Sequence, residues 1–99
     1  MSENGFRSKA VKDLVRGAQR YHFASMQDRH PFVAARHNAY AVALIDALWS
    51  ISTEEEVKKV ARVSLSKLRG DILSQQDKLE EVAFKIVDDL KARGVKLPF

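Results

Sequence analysis

Apolar residues recur at every third or fourth position of this chain, and the repeat restarts three times. This spacing predicts four amphipathic α-helices, at about residues 6–27, 31–51, 53–69 and 72–93. No alternating strand pattern competes with them. Because the connections between the helices are short, consecutive helices should run in opposite directions. We therefore predict an all-α protein that folds as a four-helix antiparallel up-and-down bundle.

Each predicted helix has one apolar face, which we expect to form the core of the bundle. The first helix presents Val11, Leu14, Val15, Ala18, Tyr21, His22, Ser25 and Met26. The second presents Val33, His37, Tyr40, Ala41, Leu44, Leu48 and Ile51. The third and fourth present Val57, Val60, Ala61, Ser64, Leu65 and Leu68, then Ile72, Leu79, Val82, Ala83, Ile86, Val87 and Leu90. Gly17 interrupts the first helix, which hints at close packing there.

The starts of the second and third helices carry clear signals. Pro31 suits the first position of a helix, because its φ angle is fixed and it has no N–H group to leave unpaired. The third helix can begin in either of two ways, since Ser52 with Glu55 and Thr53 with Glu56 both have the spacing of a capping box. Either pair satisfies two backbone N–H groups at the end of the helix.

Glycines mark the ends of the third and fourth helices. We expect Gly70 to end the third helix and Asp71 to cap the fourth. The alternative is one continuous helix, because a single interior glycine is tolerated. Gly94 should end the fourth helix in the left-handed conformation, with Val95 against Leu90 as in a Schellman motif.

Length and composition describe a single helical domain over residues 1–99, with flexible or extended tails at 1–5 and 95–99. Hydrophobic residues make up 45% of the chain and charged residues 30%, which is a globular composition. Cysteine is absent, and this excludes disulfides, thiolate metal sites and a cysteine nucleophile. The N-terminus has no secretory signal pattern, so we expect a cytoplasmic protein. Charged residues also interrupt the second segment well short of the ~20 apolar residues of a membrane span.

Two histidines fall inside the predicted apolar faces. In an antiparallel hairpin of the first two helices, His22 and His37 lie at the same level, and Tyr40 flanks them. We interpret the histidines as partly buried polar residues that specify helix pairing; the alternative is a ligand site formed by these three residues. Paired metal-binding motifs are missing, so we predict no metal and no cofactor. The phosphate loops and nucleophile elbows of enzymes are missing too, and we expect no enzymatic activity.

A narrow basic stripe runs along the first helix, opposite its apolar face. It consists of Lys9, Lys12, Arg16 and Arg20, and Phe23 continues it. Clustered positive charge binds phosphates, and an exposed aromatic ring can stack on a base, so the stripe is a candidate nucleic-acid site. The simpler interpretation is an ordinary solvated face, because the net charge is only +4, from 17 basic and 13 acidic residues.

The chain has more apolar residues than one face per helix can bury. The surplus residues are Phe23, Ala35, Ala39, Val42, Ala43, Trp49 and Phe84. The three alanines form a smooth ridge on the second helix, which either contacts a partner or lies against the other helices if the second helix is central. The two phenylalanines have no obvious partner within the chain. Because exposed apolar patches mark interaction sites, these residues are our candidate interface.

These patterns favour a small, non-enzymatic helical interaction or adaptor protein that associates with itself, as a homo-oligomer and most simply as a dimer. The alternative is a nucleic-acid-binding regulator that uses the basic stripe of the first helix. We expect no membrane partner, since the charged residues of the second segment exclude a span.

Overall fold

The chain forms four α-helices joined by short connections. They are α1 (Glu3–Gln27), α2 (Pro31–Ile51), α3 (Glu54–Ala61) and α4 (Leu65–Ala92). The computed structural model describes residues 3–96, and no strand occurs within that range. α2 packs against both α1 and α4, while the short α3 touches α1 and α4. The all-α prediction is confirmed, and these helix contacts fit the predicted antiparallel bundle.

Local signals place the starts of α2 and α3 as predicted. Pro31 lies in the first turn of α2, and the Nδ1 atom of His30, the capping residue, accepts a hydrogen bond of 3.2 Å from the N–H of Phe32. Of the two alternatives for α3, the chain uses Thr53, whose hydroxyl accepts a hydrogen bond of 3.1 Å from the N–H of Glu56. Both caps satisfy N–H groups that the helix itself leaves unpaired.

The predicted break at Gly70 and Asp71 is wrong, because α4 runs through both residues without interruption, as the alternative of a helix continuous through Gly70 predicts. The break lies earlier, between α3 and α4. There Arg62 adopts a left-handed conformation with a φ of 59°, and the hydroxyl of Ser64 caps α4 by accepting a hydrogen bond of 3.2 Å from the N–H of Lys67. The serine cap stabilises the start of the helix by about 1 kcal/mol. An interior glycine costs a similar amount relative to alanine, which a long helix tolerates, so α4 continues through Gly70.

The two ends of the helical region match the prediction only in part. α1 already includes residues 3–5, which we expected in a flexible tail. α4 ends as predicted: Gly94 has a φ of 80°, and the N–H of Val95 donates a hydrogen bond of 3.0 Å to the carbonyl of Leu90. The last residues of the predicted extended tail, 97–99, lie outside the described range.

The core lies where the four helices meet, and it is built from small and branched side chains. Its buried members are Val11, Val15, Ala18, Ala41, Ile45, Leu48, Val57, Leu65 and Ile72. The close packing predicted at Gly17 is present, since a β-carbon at this position would lie 2.9 Å from Cδ1 of Leu44. α1 and α2 therefore approach each other closely at this level.

The buried line of α2 differs from the predicted one. The buried residues are Ala34, Asn38, Ala41, Ile45 and Leu48. Tyr40 and Ile51, which we placed in the core, are 48% and 50% exposed. The line is rotated because α2 packs against α1 and α4 at once, so its most buried side chains face the seam between those two helices.

α4 is longer than the helix against which it packs. Hydrogen bonds from Asn38 to Gln76 and from Arg69 to Asp46 set an antiparallel register between α2 and α4. Continued along both helices, this register places the start of α2 level with about residue 83 of α4. Residues 84–92 therefore project beyond the bundle, and we call them the overhang. The described part of the molecule is accordingly 59 Å long and only 23 by 22 Å across, whereas α1 alone is about 37 Å long.

Candidate interaction surfaces

A buried polar group lies where α1, α2 and α4 meet. Asn38 is fully buried, and its Nδ2 atom donates to the carbonyl of Ile72 at 2.9 Å and to Oε1 of Gln76 at 3.0 Å. Because only the NH2 group can donate to a carbonyl, its Oδ1 atom faces Nδ1 of His22, 2.9 Å away. The Ser25 hydroxyl lies 3.4 Å from the same oxygen. The asparagine thus ties three helices together through satisfied hydrogen bonds.

His37 belongs to a second polar group, nearer the turn between α1 and α2. Its Nδ1 atom is 2.7 Å from Oδ2 of Asp28, the residue that follows α1. The centroid of its ring is 6.3 Å from that of Tyr21, which in turn packs edge-on against Tyr40 at 5.2 Å. His22 and His37 therefore use their Nδ1 atoms in separate structural hydrogen bonds. Binding of a ligand by His22, His37 and Tyr40 stays a prediction.

An ion pair between α1 and α3 closes the end of the bundle opposite the overhang. Arg7 contacts Glu56 in two places, Nε to Oε2 at 2.6 Å and Nη2 to Oε1 at 2.7 Å. Ser52 donates a further hydrogen bond of 2.6 Å to Oε1, and Arg7 also donates to the carbonyl of Ile51. The bonds from Arg7 and then Ser52 lower the pKa of Glu56 to about 2, and the same pairing raises the pKa of Arg7. This carboxylate is fixed in a structural clamp.

A second carboxylate joins α3 to the start of α4. Glu54 accepts a hydrogen bond of 2.7 Å from the Ser64 hydroxyl and one of 2.9 Å from the N–H of Ser66. These bonds, that from Ser64 first, lower the pKa of Glu54 below its ordinary value. Its charge also lies at the N-terminal end of α4, where the helix dipole favours an anion. The carboxylate therefore stabilises the break between α3 and α4, six residues before the predicted break at Gly70.

The apolar face of α4 continues from the bundle into the overhang. Within the bundle this face buries Leu65 and Ile72. Further along it consists of Leu79, Val82, Ala83, Ile86, Val87 and Leu90, which we call the overhang stripe. We predicted these six residues to be buried, and the prediction holds only in part: Val82 is 44% exposed, and the other five are half-buried. Past about residue 83 the reason is helix length, because α1 and α2 end before they can cover this part of α4.

The three aromatic residues of the predicted interface lie on three different helices. Phe23, Trp49 and Phe84 are 58%, 47% and 65% exposed. Trp49 has an intramolecular partner, since the guanidinium carbon of Arg69 lies 4.6 Å from the centroid of its ring. Phe84 is on the side of α4 away from the overhang stripe. These rings therefore do not form one continuous patch.

The alanine ridge of α2 is partly used within the molecule. Val42 packs against the core, and Ala35 is half-buried, whereas Ala39 and Ala43 are exposed. α2 is the helix that contacts both α1 and α4, so its central position accounts for part of its surplus apolar surface. A role for the ridge in an interface stays a prediction.

A shallow groove follows one side of α1, because α1 and α4 make little contact with each other. Beside α3 the groove has a volume of about 290 Å³ and is lined by Lys12, Arg16 and Val60, among others. Beside α4 its volume is about 470 Å³, and the lining comprises Arg16, Gln19, Arg20, His22, Phe23, Met26 and Leu68. Arg16 and Gln19 line both parts, which therefore adjoin, and together we call them the α1 groove.

The predicted basic stripe is divided by the groove. Lys9 is outside it and pairs with Asp13 at 2.8 Å, a bond that lowers the pKa of the aspartate. Lys12, Arg16 and Arg20 line the groove, and within residues 3–96 none of the three forms a salt bridge. The positive charge of the stripe is thus concentrated inside the groove.

Comparisons with protein-family models, with characterised proteins and with solved structures found no significant match. In the described part of the chain, no three histidine, aspartate or glutamate side chains cluster so as to hold a metal ion. None of the described helices is long and apolar enough to cross a membrane. Two surfaces stand out on this molecule: the overhang stripe and the α1 groove.

Proposed function

We propose that the protein is a non-enzymatic helical interaction protein that associates with a second copy of itself through the overhang stripe. The observation that supports this is the apolar face of α4, which packs the core with Leu65 and Ile72 and then continues past the ends of α1 and α2. An apolar helix face is removed from water when it packs against another apolar surface. In a symmetric dimer the simplest such surface is the identical face of the second copy.

An antiparallel pair of overhangs with a two-fold axis near Ile86 makes the fullest use of the stripe. In that arrangement Ile86 meets its counterpart in the second copy, and Val82 of each chain lies opposite Leu90 of the other. The two bundles then lie at opposite ends of the pair and do not collide. A parallel pair would instead bring the two bundles side by side at one end.

The charges beside the stripe favour the same antiparallel arrangement. Glu80 and Lys91 flank one edge of the stripe, and Lys85 and Asp89 flank the other. In the two-fold pair Glu80 faces Lys91 of the second copy, Lys85 faces Asp89, and symmetry repeats each attraction. Lys85 and Asp89 also form exposed ion pairs within α4. Such pairs contribute little and exchange partners at little cost.

The end of the bundle beside the overhang extends the proposed interface. Met26, near the end of α1, and Phe32, at the start of α2, are 55% and 40% exposed. The tip of each overhang reaches this end of the other bundle in the antiparallel pair. Full burial of one such side chain gains about 2 kcal/mol, so these two add to the stripe. Because the paired surfaces are still small for a stable complex, we expect a dissociation constant in the micromolar range.

Light scattering coupled to size-exclusion chromatography tests this proposal over a range of concentrations. The mass should rise from the 11.2 kDa of one chain towards twice that value. Ile86→Glu, at the centre of the stripe, should keep the protein monomeric. Phe84→Glu introduces the same charge on the other side of α4 and should leave the dimer intact. A wild-type mass of one chain at every concentration up to millimolar contradicts the proposal.

Charge reversal tests the antiparallel register independently. Lys85→Glu and Asp89→Lys should each weaken the dimer, because each places like charges opposite one another. The double variant re-forms the pair with opposite signs, so its dissociation constant should return towards that of the wild type. If the double variant is weaker than both single variants, the two residues do not face each other and the register is wrong.

A further inference from the structure

The α1 groove combines unpaired positive charge with an apolar lining. Arg16 and Arg20 line it from α1, and Phe23, Met26 and Leu68 supply apolar surface beside them. No salt bridge within residues 3–96 neutralises either guanidinium. A ligand that fits this lining carries negative charge along one edge and a flat apolar surface along the other.

The cations of the groove are regularly spaced. Lys12, Arg16 and Arg20 follow one another at four-residue intervals, which correspond to a rise of about 6 Å along α1 for each step. Of the nearby carboxylates, Asp13 pairs with Lys9 and attracts Arg16 more weakly, while Glu56 and Glu54 are bound by Arg7 and Ser64. A flexible chain of phosphates can therefore place one phosphate at each cation in turn.

Phe23 supplies the second element of the site. Its side chain is 58% exposed, and its ring pairs with no other ring in the described part of the chain. It follows Arg20 along the groove, at the end of the row of cations. A positively charged groove that ends on an exposed aromatic ring is the arrangement by which proteins bind single strands, because any unpaired base can stack on the ring. We propose that the α1 groove binds single-stranded nucleic acid.

Duplex nucleic acid and acidic polypeptides fit the groove less well. A duplex hides the faces of its bases in the stack, so it offers no base on which Phe23 could stack. An acidic polypeptide would satisfy Arg16 and Arg20 but has no flat ring for Phe23. Only an unpaired base with its phosphate uses the cations and the aromatic ring together.

Fluorescence anisotropy with a labelled 15-nucleotide oligothymidine at low salt tests this proposal. With about three phosphate contacts, the logarithm of the affinity should fall with the logarithm of the salt concentration with a slope of about −2. Arg16→Glu with Arg20→Glu should weaken binding more than tenfold and flatten that slope. Phe23→Ala should weaken binding about tenfold, the loss of one stacked base, with the slope unchanged.

Arg29→Glu with Arg36→Glu provides a matched control. It removes two arginines and changes the net charge by the same amount, but neither residue lines the groove and both are exposed. Binding by this control should stay within about threefold of the wild type, as expected for charges away from the strand. An equal loss in the control and in the groove variant would show that only net charge matters and would overturn the site.

Three further outcomes also overturn the proposal. They are the absence of binding to the oligonucleotide at low salt, equal binding of a duplex of the same length, and equal binding of polyglutamate of the same charge. The variant with Arg16→Glu and Arg20→Glu should retain the oligomeric state and the melting temperature of the wild type, since both residues are exposed and lie outside the overhang. Failure of this site and failure of self-association are therefore measured separately.

Discussion

One apolar face of α4 runs through both the bundle and the overhang, but it is buried in the bundle and partly exposed towards the overhang. Leu65 and Ile72 are 2% and 0% exposed, because the other helices cover them. Val82, on the same face, is 44% exposed, because α1 and α2 end near its level. Amphipathic spacing thus shows that a helix face needs an apolar partner, but the spacing is the same whether that partner is in the same chain or in another molecule.

The two proposed binding surfaces follow this division. The α1 groove is formed by the bundle and depends on rigid helices that hold Arg16 and Arg20 in a row. The overhang stripe depends on a single helix that extends into solvent. The overhang stripe and the α1 groove share no residue, although Met26 of the groove also borders the proposed dimer interface.

Truncation of one isoleucine in each region should give the largest contrast. Ile72→Ala should lower the free energy of unfolding by about 3–4 kcal/mol, because it removes buried surface and leaves a cavity. Ile86→Ala should lower it by less than about 1 kcal/mol at a concentration where the protein is monomeric. Urea unfolding followed by circular dichroism measures both. Equal losses would mean that the overhang is packed as tightly as the bundle.

A second contrast concerns the polar junction at the centre of the bundle, for which the overhang has no equivalent. Asn38→Ala should lower the free energy of unfolding by about 2 kcal/mol, because it leaves His22 and Gln76 without their buried partner. Gln76→Ala removes only one of these bonds and should cost about 1 kcal/mol or less. The same urea titration compares them. A more stable Asn38→Leu variant would show that the junction is dispensable for stability.

The sequence predicts those features whose bonds span a few residues. Pro31 marks a helix start through its fixed φ angle, and Gly94 marks a helix end through hydrogen bonds that span at most five residues; both agree with the prediction. Thr53, one of two predicted alternatives, caps α3 through a bond to Glu56 three positions away. The break before α4 was misplaced because Ser64 and Gly70 are both local signals. The residue that reinforces the serine, Glu54, is ten positions away, beyond the reach of a local signal.

Features that depend on how the helices lie against each other could not be predicted in this way. Asn38 looks like a surface residue until α1 and α4 bring His22 and Gln76 to it. Arg7 and Glu56 are 49 positions apart and meet only because α3 folds against α1. The overhang likewise follows from the register between α2 and α4, which the periodicity of a single helix does not contain.

Acid should weaken the clamp at the end of the bundle without a matching effect in the overhang. In the folded protein the pKa of Glu56 is lowered from 4.5 to about 2. The stability that this shift supplies is complete above about pH 4.5 and is lost as the pH falls through about 2. Glu56→Gln should therefore reduce the fall in melting temperature between these pH values. Glu81→Gln removes an exposed carboxylate that pairs with Lys85 in the overhang, and it should leave the fall unchanged.

Thermal unfolding monitored by circular dichroism between pH 2 and 7 measures this difference. The lowered pKa values of Glu54 and Asp13 leave some pH dependence in every variant. If Glu56→Gln and Glu81→Gln change the pH dependence of the melting temperature equally, the carboxylate of Glu56 stabilises the fold no more than an exposed carboxylate does.

The smallest predicted effect is that of Gly70→Ala, which tests whether α4 is one continuous helix from the bundle into the overhang. A β-carbon at Gly70 would meet nothing within 4 Å, so Gly70→Ala should raise the free energy of unfolding by about 0.5–1 kcal/mol and the melting temperature by a few degrees. At Gly17 the same change presses on Leu44 at 2.9 Å, which offsets the gain, so Gly17→Ala should have almost no net effect. Gly94→Ala should destabilise, because its φ of 80° suits glycine. A loss of stability in Gly70→Ala would indicate a break at this residue, and the overhang would then be hinged to the bundle.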